Sequence, residues 1–201
     1  MTDGWPAAWD GIAESVTTTL GPNDRWNVAA LGLHAPESGV ERGEVPDDPV
    51  TARTWGRTRT WRNFTERGGG YVQFTRDPVD FVEAACSVRE EADPVLDSAA
   101  GWAEVSAEAV ASGTEGETAW TEWALTVEEA HVEAESVPVV SRGHAAVVEA
   151  TVAASRLDVP GYDEGELRER IRFFESVVDS AGGERERAAW VRFDELVEWR
   201  D

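Results

Sequence analysis

Alternating apolar and polar positions mark the first half of the chain as a set of β-strands. Residues 14–20 form an alternating run, and a second run, residues 26–34, follows a Gly-Pro-Asn-Asp turn. Two such runs around a turn are the pattern of a β-hairpin. The pattern predicts four further strands, at residues 50–55, 71–75, 102–111 and 118–127, with a turn at 113–116 between the last two. Six strands are enough to close a small barrel with helices packed outside it.

Two helices are predicted between these strands. Thr58 is placed to cap a short helix, which the glycines at 68–70 would close. Asp77 and Pro78 are residue types typical of an N-cap and of a first helical position. The spacing that follows turns three apolar side chains inward, those of Phe81, Val82 and Ala85. Residues 87–100 are acidic and are predicted to be irregular.

The last third of the chain has a helical pattern. Ser141 is placed to cap a helix that runs to Leu157 and is apolar on nearly all sides, so the domain itself or a partner subunit is expected to bury it. Asp163 begins another helix as part of a capping box, and two glycines at 182–183 separate it from a final one. The apolar residues at helical spacing in these two helices are Leu167, Ile171, Phe174, Val178, Ala189, Phe193 and Leu196.

The predicted fold class is therefore mainly β with helices (α+β). Residues 1–140 are predicted to form the barrel domain. Residues 141–201 are predicted to form a helical segment that packs on the barrel or on a dimer partner.

The chain is strongly acidic and contains no lysine. It has 40 Asp and Glu against 18 basic residues, all of them Arg, and a formal net charge of −22. This composition predicts a protein that works in high cytoplasmic salt, where the Debye length falls to about 3 Å at 1 M. The charge argues against nucleic acid and anionic membranes as partners, since both are polyanions. No apolar run approaches the ~20 residues of a membrane span and the start has no secretory signal, so a cytoplasmic location is expected.

Cysteine and histidine usage argues against a disulfide or a metal centre. Cys86 is the single cysteine and lies in an apolar helical pattern, so it is interpreted as a core residue. His34, His131 and His144 have no metal-ligand spacing among them. No metal is expected.

Residues 51–67 reverse the charge of the rest of the chain. Five arginines stand against one acid, Glu66, a local balance of 5 − 1 = +4. They are Arg53, Arg57, Arg59, Arg62 and Arg67. Arginines and hydroxyls where a strand passes into a helix suit the binding of a phosphate. The alternative is that they pair with neighbouring carboxylates, but high salt makes such surface pairs nearly worthless, which favours the anion site.

Several short motifs resemble those of a known family. They are Thr17-Thr18-Thr19, the stretch at 27–32, Thr58-x-Thr60-x-x-Asn63, Asp77-Pro78, and, later, Arg142, Val148-Glu149-Ala150 and Ser155-Arg156-Leu157. Together they resemble the archaeal domain-of-unknown-function family 447, a family of FMN-binding split-barrel proteins related in fold to flavin reductases. The resemblance covers roughly residues 12–160.

The resemblance implies a six-stranded split β-barrel that dimerises and holds FMN at the subunit interface. In this sequence the flavin ring would be bordered by Asn27, Ala29, Ala30, Leu31 and Gly32. The phosphate would be bound by Thr58, Thr60 and Asn63, with Arg53 and Arg57 as charge partners.

The predicted function is FMN binding, with a flavin-dependent oxidoreductase of the flavin reductase type as the leading hypothesis. Hydride transfer occurs at the flavin itself, so it demands no nucleophile or acid–base pair of the protein, and the sequence offers none. Two alternatives stay open: a non-catalytic flavin carrier or sensor, and a split-barrel protein that binds a deazaflavin or haem. No residue specifies the substrate or electron donor.

Overall fold

A closed antiparallel barrel forms the first part of the computed structural model, which describes residues 4–135, 137 and 139–200. The strands are β1 (Ile12–Leu20), β2 (Trp26–His34), β3 (Val50–Trp55), β4 (Gly69–Thr75), β5 (Arg89–Glu91), β6 (Ala99–Glu115) and β7 (Thr118–Val132). They hydrogen-bond in the order β1-β4-β6-β7-β3-β2-β5, and pairing of β1 with β2 closes six of them into the barrel. The predicted six-stranded barrel is confirmed, and β5 is an additional strand that pairs with the start of β2.

Five helices accompany the strands in the described residues. They are α1 (Arg59–Arg67), α2 (Pro78–Cys86), α3 (Arg142–Ala154), α4 (Glu164–Ala181) and α5 (Glu184–Leu196). The four predicted caps, Thr58, Asp77, Ser141 and Asp163, each accept a hydrogen bond from a backbone N–H of the first turn. None of the helices in the described ranges is both long and apolar enough to cross a bilayer.

The contacts divide the chain into two units. The barrel unit comprises Met1–Arg76 and Arg89–Glu135, and the helical unit comprises Asp77–Val88 and Ser136–Asp201. Helix α2 therefore packs with the C-terminal helices although it lies between β4 and β5 in sequence. The domain boundary at residue 140 stays a prediction. It does not account for α2, which lies within the barrel sequence but belongs to the helical unit.

Each unit has its own apolar core. The barrel core contains Leu31, Leu33, Val50, Ala52, Phe64, Val72, Ala103, Val105, Trp123 and Leu125. The helical core contains Val82, Ala146, Val147, Ala150, Leu167, Ile171, Val178, Ala189, Phe193 and Trp199. The predicted inward positions of α4 and α5 are confirmed, with Phe174 and Leu196 only partly buried at the margin of the helical core.

Two helical predictions need correction. In α2 the third buried apolar side chain is Ala84, whereas Ala85 is half-buried. Helix α3 ends at Ala154 and is buried on one face only, because Ala145 and Glu149 are exposed. The few charges of α3 therefore do not mean that all sides of the helix are buried. Its exposed side carries small side chains such as Ala145.

Glycines account for several differences between the predicted and observed strands. Gly68 ends α1 with a φ of 77°, as expected of a helix-closing glycine, but Gly69 and Gly70 belong to β4. A Cβ at Gly70 would collide with the backbone of Thr18, and one at Gly69 with the backbone of Val105. These glycines let neighbouring strands approach closely.

The hairpin of β6 and β7 is longer than predicted. Its turn lies at Gly116, which has a φ of 57°, and not at residues 113–116. Gly113 is a strand residue that lies under the indole of Trp120, since a Cβ there would stand 2.7 Å from Trp120 Cζ2. Residues 87–100 contain β5 and the start of β6, so the prediction of an irregular segment holds for residues 87–88 and 92–98 and is wrong for the rest.

Candidate functional site

The candidate site lies where β3 passes into α1. The Thr58 hydroxyl oxygen accepts a hydrogen bond from the backbone N–H of Trp61 at 3.1 Å, which leaves its own proton available to an acceptor. The Arg57 guanidinium lies 5.6 Å from the centre of the Trp61 ring. The first turn of α1 contains no acid, so its N–H groups and partial positive charge are not offset there. This arrangement favours an anion.

Two of the five arginines are already paired with carboxylates. Arg53 donates through Nε and Nη2 to Glu122 Oε2 at 3.2 and 3.0 Å, and its guanidinium lies 4.5 Å from the centre of the Trp120 ring. Arg59 Nη1 donates to Glu90 Oε1 at 2.7 Å. Arg53 and Arg59 therefore pair with neighbouring carboxylates, which was the alternative to an anion site.

The other three arginines are exposed. Arg57, Arg62 and Arg67 have no carboxylate within 4.0 Å among the residues that the structure describes. An acidic chain thus leaves three guanidinium groups of this segment open to solvent.

Thr60 and Asn63 lie on the inner face of α1. Both are buried, and Asn63 is 1% exposed. Asn63 Nδ2 donates to the hydroxyl of Thr19 at 2.9 Å and to its carbonyl at 3.3 Å. Asn63 therefore fixes α1 to β1 with its amide nitrogen.

The predicted ring-bordering residues are divided between the two faces of β2. Asn27, Ala29 and Leu31 share one face, and Leu31 belongs to the barrel core, whereas Ala30 and Gly32 lie on the other. Asn27 pairs with Thr19 in the β1–β2 ladder. Since Thr19 also accepts from Asn63, the predicted ring-binding and phosphate-binding segments meet at this residue.

Glu90 in β5 is a site residue that the sequence did not reveal. It pairs with Asn27 in the ladder, and its carboxylate accepts from Arg59 and from Asn23 Nδ2 at 3.1 Å. It thereby connects the start of α1 to the start of β2. A three-residue strand of Arg and Glu has no apolar alternation, so no sequence pattern could have found it.

Two buried polar atoms lie in the elements that build the site. Thr17 Oγ1 and Asn63 Oδ1 have no hydrogen-bond partner within the described part of the chain. Thr17 pairs with Ala29 in the β1–β2 ladder. A buried polar group without a partner costs about 1–3 kcal/mol, so these atoms need a water or ligand partner.

The chemistry of the remaining candidate groups is limited. Burial raises the pKa of the Cys86 thiol to about 12, so it is not a nucleophile near neutral pH. In residues 4–135, 137 and 139–200, no group of three or more His, Cys, Asp or Glu side chains is arranged to hold a metal ion.

Comparison with family models shows which protein family the chain belongs to. The family model described as the N-terminal domain of the protein of unknown function DUF447 matches residues 13–134, and a second DUF447 model matches residues 141–195. The chain belongs to the DUF447 family. The predicted resemblance is confirmed. No curated protein matches the chain.

Solved structures show the same fold for this DUF447 protein. An FMN-bound DUF447 protein from Methanosarcina mazei has a TM-score of 0.73 at 24% identity, over 94% of this chain and 96% of that one. Component B of nitrilotriacetate monooxygenase from Bacillus cereus has a TM-score of 0.44 at 18% identity, over 65% and 71%. The styrene monooxygenase flavin reductase from Pseudomonas putida has a TM-score of 0.36 at 16% identity, over 62% and 79%. The first comparison supports the split-barrel fold, and the other two are too distant to carry an argument.

Proposed function

We propose that this DUF447 protein binds FMN and uses it in an oxidoreductase reaction of the flavin reductase type. The observation that carries the proposal is the anion cradle at the β3–α1 junction, where Arg57, Thr58 and the acid-free first turn of α1 face solvent in a chain of net charge −22. Family membership and the FMN bound to the Methanosarcina mazei protein support FMN as the ligand of the cradle.

The phosphate end of FMN would be held by Arg57 and Thr58. Their guanidinium and hydroxyl groups supply charge-assisted hydrogen bonds, and the first-turn N–H groups add further donors. Thr60 and Asn63 are buried beneath this cradle and would act by fixing its position. The role of Arg53 as a phosphate ligand stays a prediction from the sequence. In this structure its guanidinium is paired with Glu122 and is not open to a ligand in the way that Arg57 is.

The ring end would lie along β2. Asn27, Ala29, Ala30, Leu31 and Gly32 offer small side chains and backbone groups, which suit a flat ring that needs a wall and a few hydrogen bonds. The flavin supplies hydride transfer, and the protein's part is to bind it, orient it and exclude water.

Assembly and location are part of the same proposal. We propose a homodimer with the flavin at the subunit interface, in a cytoplasm of high salt. The assembly is supported by DUF447 membership, since the resemblance to that family implies a dimer with interface FMN. The high-salt location is supported by the lysine-free composition with 40 acidic residues, whose mutual repulsion salt would screen.

The cradle is tested by comparing FMN with riboflavin, which lacks the phosphate. Protein purified in molar KCl should bind about one FMN per chain. Arg57→Ala should weaken the binding of FMN roughly tenfold or more, since a charge-assisted hydrogen bond contributes ~1.5–3 kcal/mol. It should leave the binding of riboflavin nearly unchanged.

Thr58→Asp is the sharper variant. Asp caps helices as well as Thr, so α1 should persist while the new charge repels the phosphate. Arg170→Ala, an exposed change in α4, is the control for lost positive charge. Absence of FMN binding, or equal weakening of both ligands by the two cradle variants, would refute the site. Reduction of bound flavin by candidate electron donors then separates an enzyme from a carrier.

A further inference from the structure

An exposed tryptophan lies beside the cradle, at the end of β3. All ten tryptophans belong to the described residues, and Trp55 alone among them is exposed, at 44%. Its indole makes no aromatic or cation–π contact within the part of the chain that the structure describes. The ring of Trp55 is therefore free to contact a ligand.

Trp55 is part of an aromatic surface on the outer side of the barrel. It pairs with Trp120 of β7 in the ladder, so both side chains stand on the same face of the sheet. The Trp120 indole lies over Gly113, and the Arg53 guanidinium lies 4.5 Å from the centre of its ring. The charge of Arg53 is already paired with Glu122. The three side chains Trp55, Trp120 and Arg53 are here called the Trp55 surface.

The Trp55 surface and the proposed ring end of the flavin site lie on different sides of the cradle. β3 stands between β2 and β7 in the sheet, and the cradle follows the end of β3. Gly56, with a φ of 69°, turns the chain between Trp55 and Arg57, and its N–H donates to the Ala119 carbonyl at 2.7 Å. The Cα atoms of Trp55 and Arg57 are at most about 7 Å apart, which is comparable with the distance from base to phosphate in one nucleotide.

From this juxtaposition we infer that the Trp55 surface binds the adenine ring of a nucleotide whose phosphate lies in the cradle. Extended from bound FMN, such a nucleotide is the adenylate half of FAD. The other source of the same chemistry is the adenylate half of a dinucleotide electron donor. A purine presents a flat π-face, which stacks on an indole ring or on a guanidinium plane.

This inference rests on the proposed function, since the cradle is its phosphate site, and extends the site from FMN to adenine nucleotides. Stacking suits the high-salt setting. Salt screens the attraction between exposed charges, but it does not screen the contact of two aromatic faces. The stacked base would add affinity on the β7 side, where the described chain has no further unpaired cation to offer.

Calorimetric titration of the flavin-free full chain with adenosine 5′-phosphate in molar KCl tests the surface. Trp55→Ala should weaken this binding roughly tenfold, the effect expected from losing the stacking of one base. Binding of ribose 5-phosphate, which has the phosphate but no base, should be unchanged. Trp55→Phe keeps a ring and should recover most of the affinity. Phe173→Ala, which removes an exposed aromatic side chain from α4, is the control and should have no effect.

Two further measurements separate the sources of the nucleotide. If the adenylate belongs to the flavin, Trp55→Ala should weaken FAD roughly tenfold and leave FMN unchanged. If it belongs to the electron donor, the variant should raise the KM for a reduced nicotinamide dinucleotide on the FMN-loaded protein at similar kcat. The ratio of FAD to FMN affinity should then stay as in the unmodified chain.

Equal weakening of adenosine 5′-phosphate and ribose 5-phosphate by Trp55→Ala, or no effect on any adenine nucleotide, would overturn the inference. So would a variant that binds these nucleotides normally but loses a dimer in light scattering, since a second copy would then cover the ring. Thermal unfolding verifies that each variant is folded. FMN bound without an effect of Trp55→Ala on adenine nucleotides leaves the proposed function standing alone. Selective loss of adenosine 5′-phosphate in a chain that binds no FMN leaves this inference standing alone.

Discussion

The side-chain amide of Asn63 donates to the hydroxyl of Thr19 at 2.9 Å and so fixes α1 to the first strand of the barrel. Both residues are buried, and Thr19 also pairs with Asn27 at the start of β2. One polar contact inside the barrel unit therefore sets the position of the cradle relative to the strand that would border the flavin ring.

Asn63→Ala should lower the free energy of unfolding by ~2–3 kcal/mol. The loss combines the two hydrogen bonds from Asn63 to Thr19 and a small cavity. Urea titration in molar KCl measures it. Thr65→Ala is the control. Thr65 is exposed on the same helix, and its hydroxyl donates to the backbone carbonyl of Trp61 within that helix. The free energy of unfolding of Thr65→Ala should stay within about 0.5 kcal/mol of that of the unmodified protein. Equal effects of the two variants would show that the Asn63 contact does not hold α1.

Arg53→Ala should weaken FMN and riboflavin by similar factors. Its guanidinium is bound by Glu122 and lies over Trp120, so we expect it to stabilise the β3–β7 pairing and not to contact the phosphate. Glu122→Gln, which removes the partner charge, should reproduce the effect. Equilibrium titration of both ligands with both variants is the measurement. Selective loss of FMN in Arg53→Ala alone would instead confirm the role predicted from the sequence.

Gly70→Ala should destabilise the barrel by at least ~2 kcal/mol. The added Cβ would meet backbone atoms of Thr18, which cannot move aside as a flexible side chain would. Gly32→Ala is the matched change in β2, where the nearest atom, Ile12 Cγ2, is an ordinary 3.5 Å away. It should be neutral or slightly stabilising for the apo protein in thermal unfolding. Similar losses in both variants would contradict the role assigned to close strand approach.

Glu186 should make the helical unit sensitive to acid. Burial raises the pKa of its carboxyl, but hydrogen bonds from its own backbone N–H, Gly183 and Ser141 outweigh this and lower the pKa overall. A group with a lowered folded pKa stabilises the fold above its unfolded pKa of about 4.5, and the contribution is lost as pH falls through the folded value.

Thermal unfolding of Glu186→Gln from pH 7 to pH 3 checks this. The variant should melt below the unmodified protein at pH 7, and the difference should shrink at pH 3. Glu184→Gln, at the first position of the same helix, is the control. A difference between Glu186→Gln and the unmodified protein that stays constant with pH would remove Glu186 as the acid-sensitive group.

Local patterns predicted the parts of the fold that local chemistry determines. The bounds of β2 and β3 match the predicted ones, because both runs are bounded by turn residues. Thr58 was recognisable as a cap since a hydroxyl before a short amphipathic segment has few other roles. The charge reversal at residues 51–67 likewise directed attention to the β3–α1 junction.

Non-local pairing determined what the sequence could not predict. β5 exists because its backbone pairs with β2, which its Arg and Glu side chains do not signal. Gly113 is the residue type of a turn, yet it lies in a strand because it pairs with Trp120 in β7, whose indole occupies the space of a side chain at residue 113. Which arginines find carboxylates also depends on strand register, so Arg53 and Arg57 could not be distinguished beforehand.

The insertion of α2 between β4 and β5 has a consequence for how the protein is made. Val82 and its neighbours leave the ribosome before β5, β6 and β7, yet the helices they pack against follow all three strands. The helical unit cannot complete its core until the barrel sequence has been synthesised, and a fragment of residues 141–201 would lack one wall of that core. Biogenesis of the two units is thus linked by chain order, and the apolar face of newly made α2 stays uncovered until α3 to α5 have been synthesised.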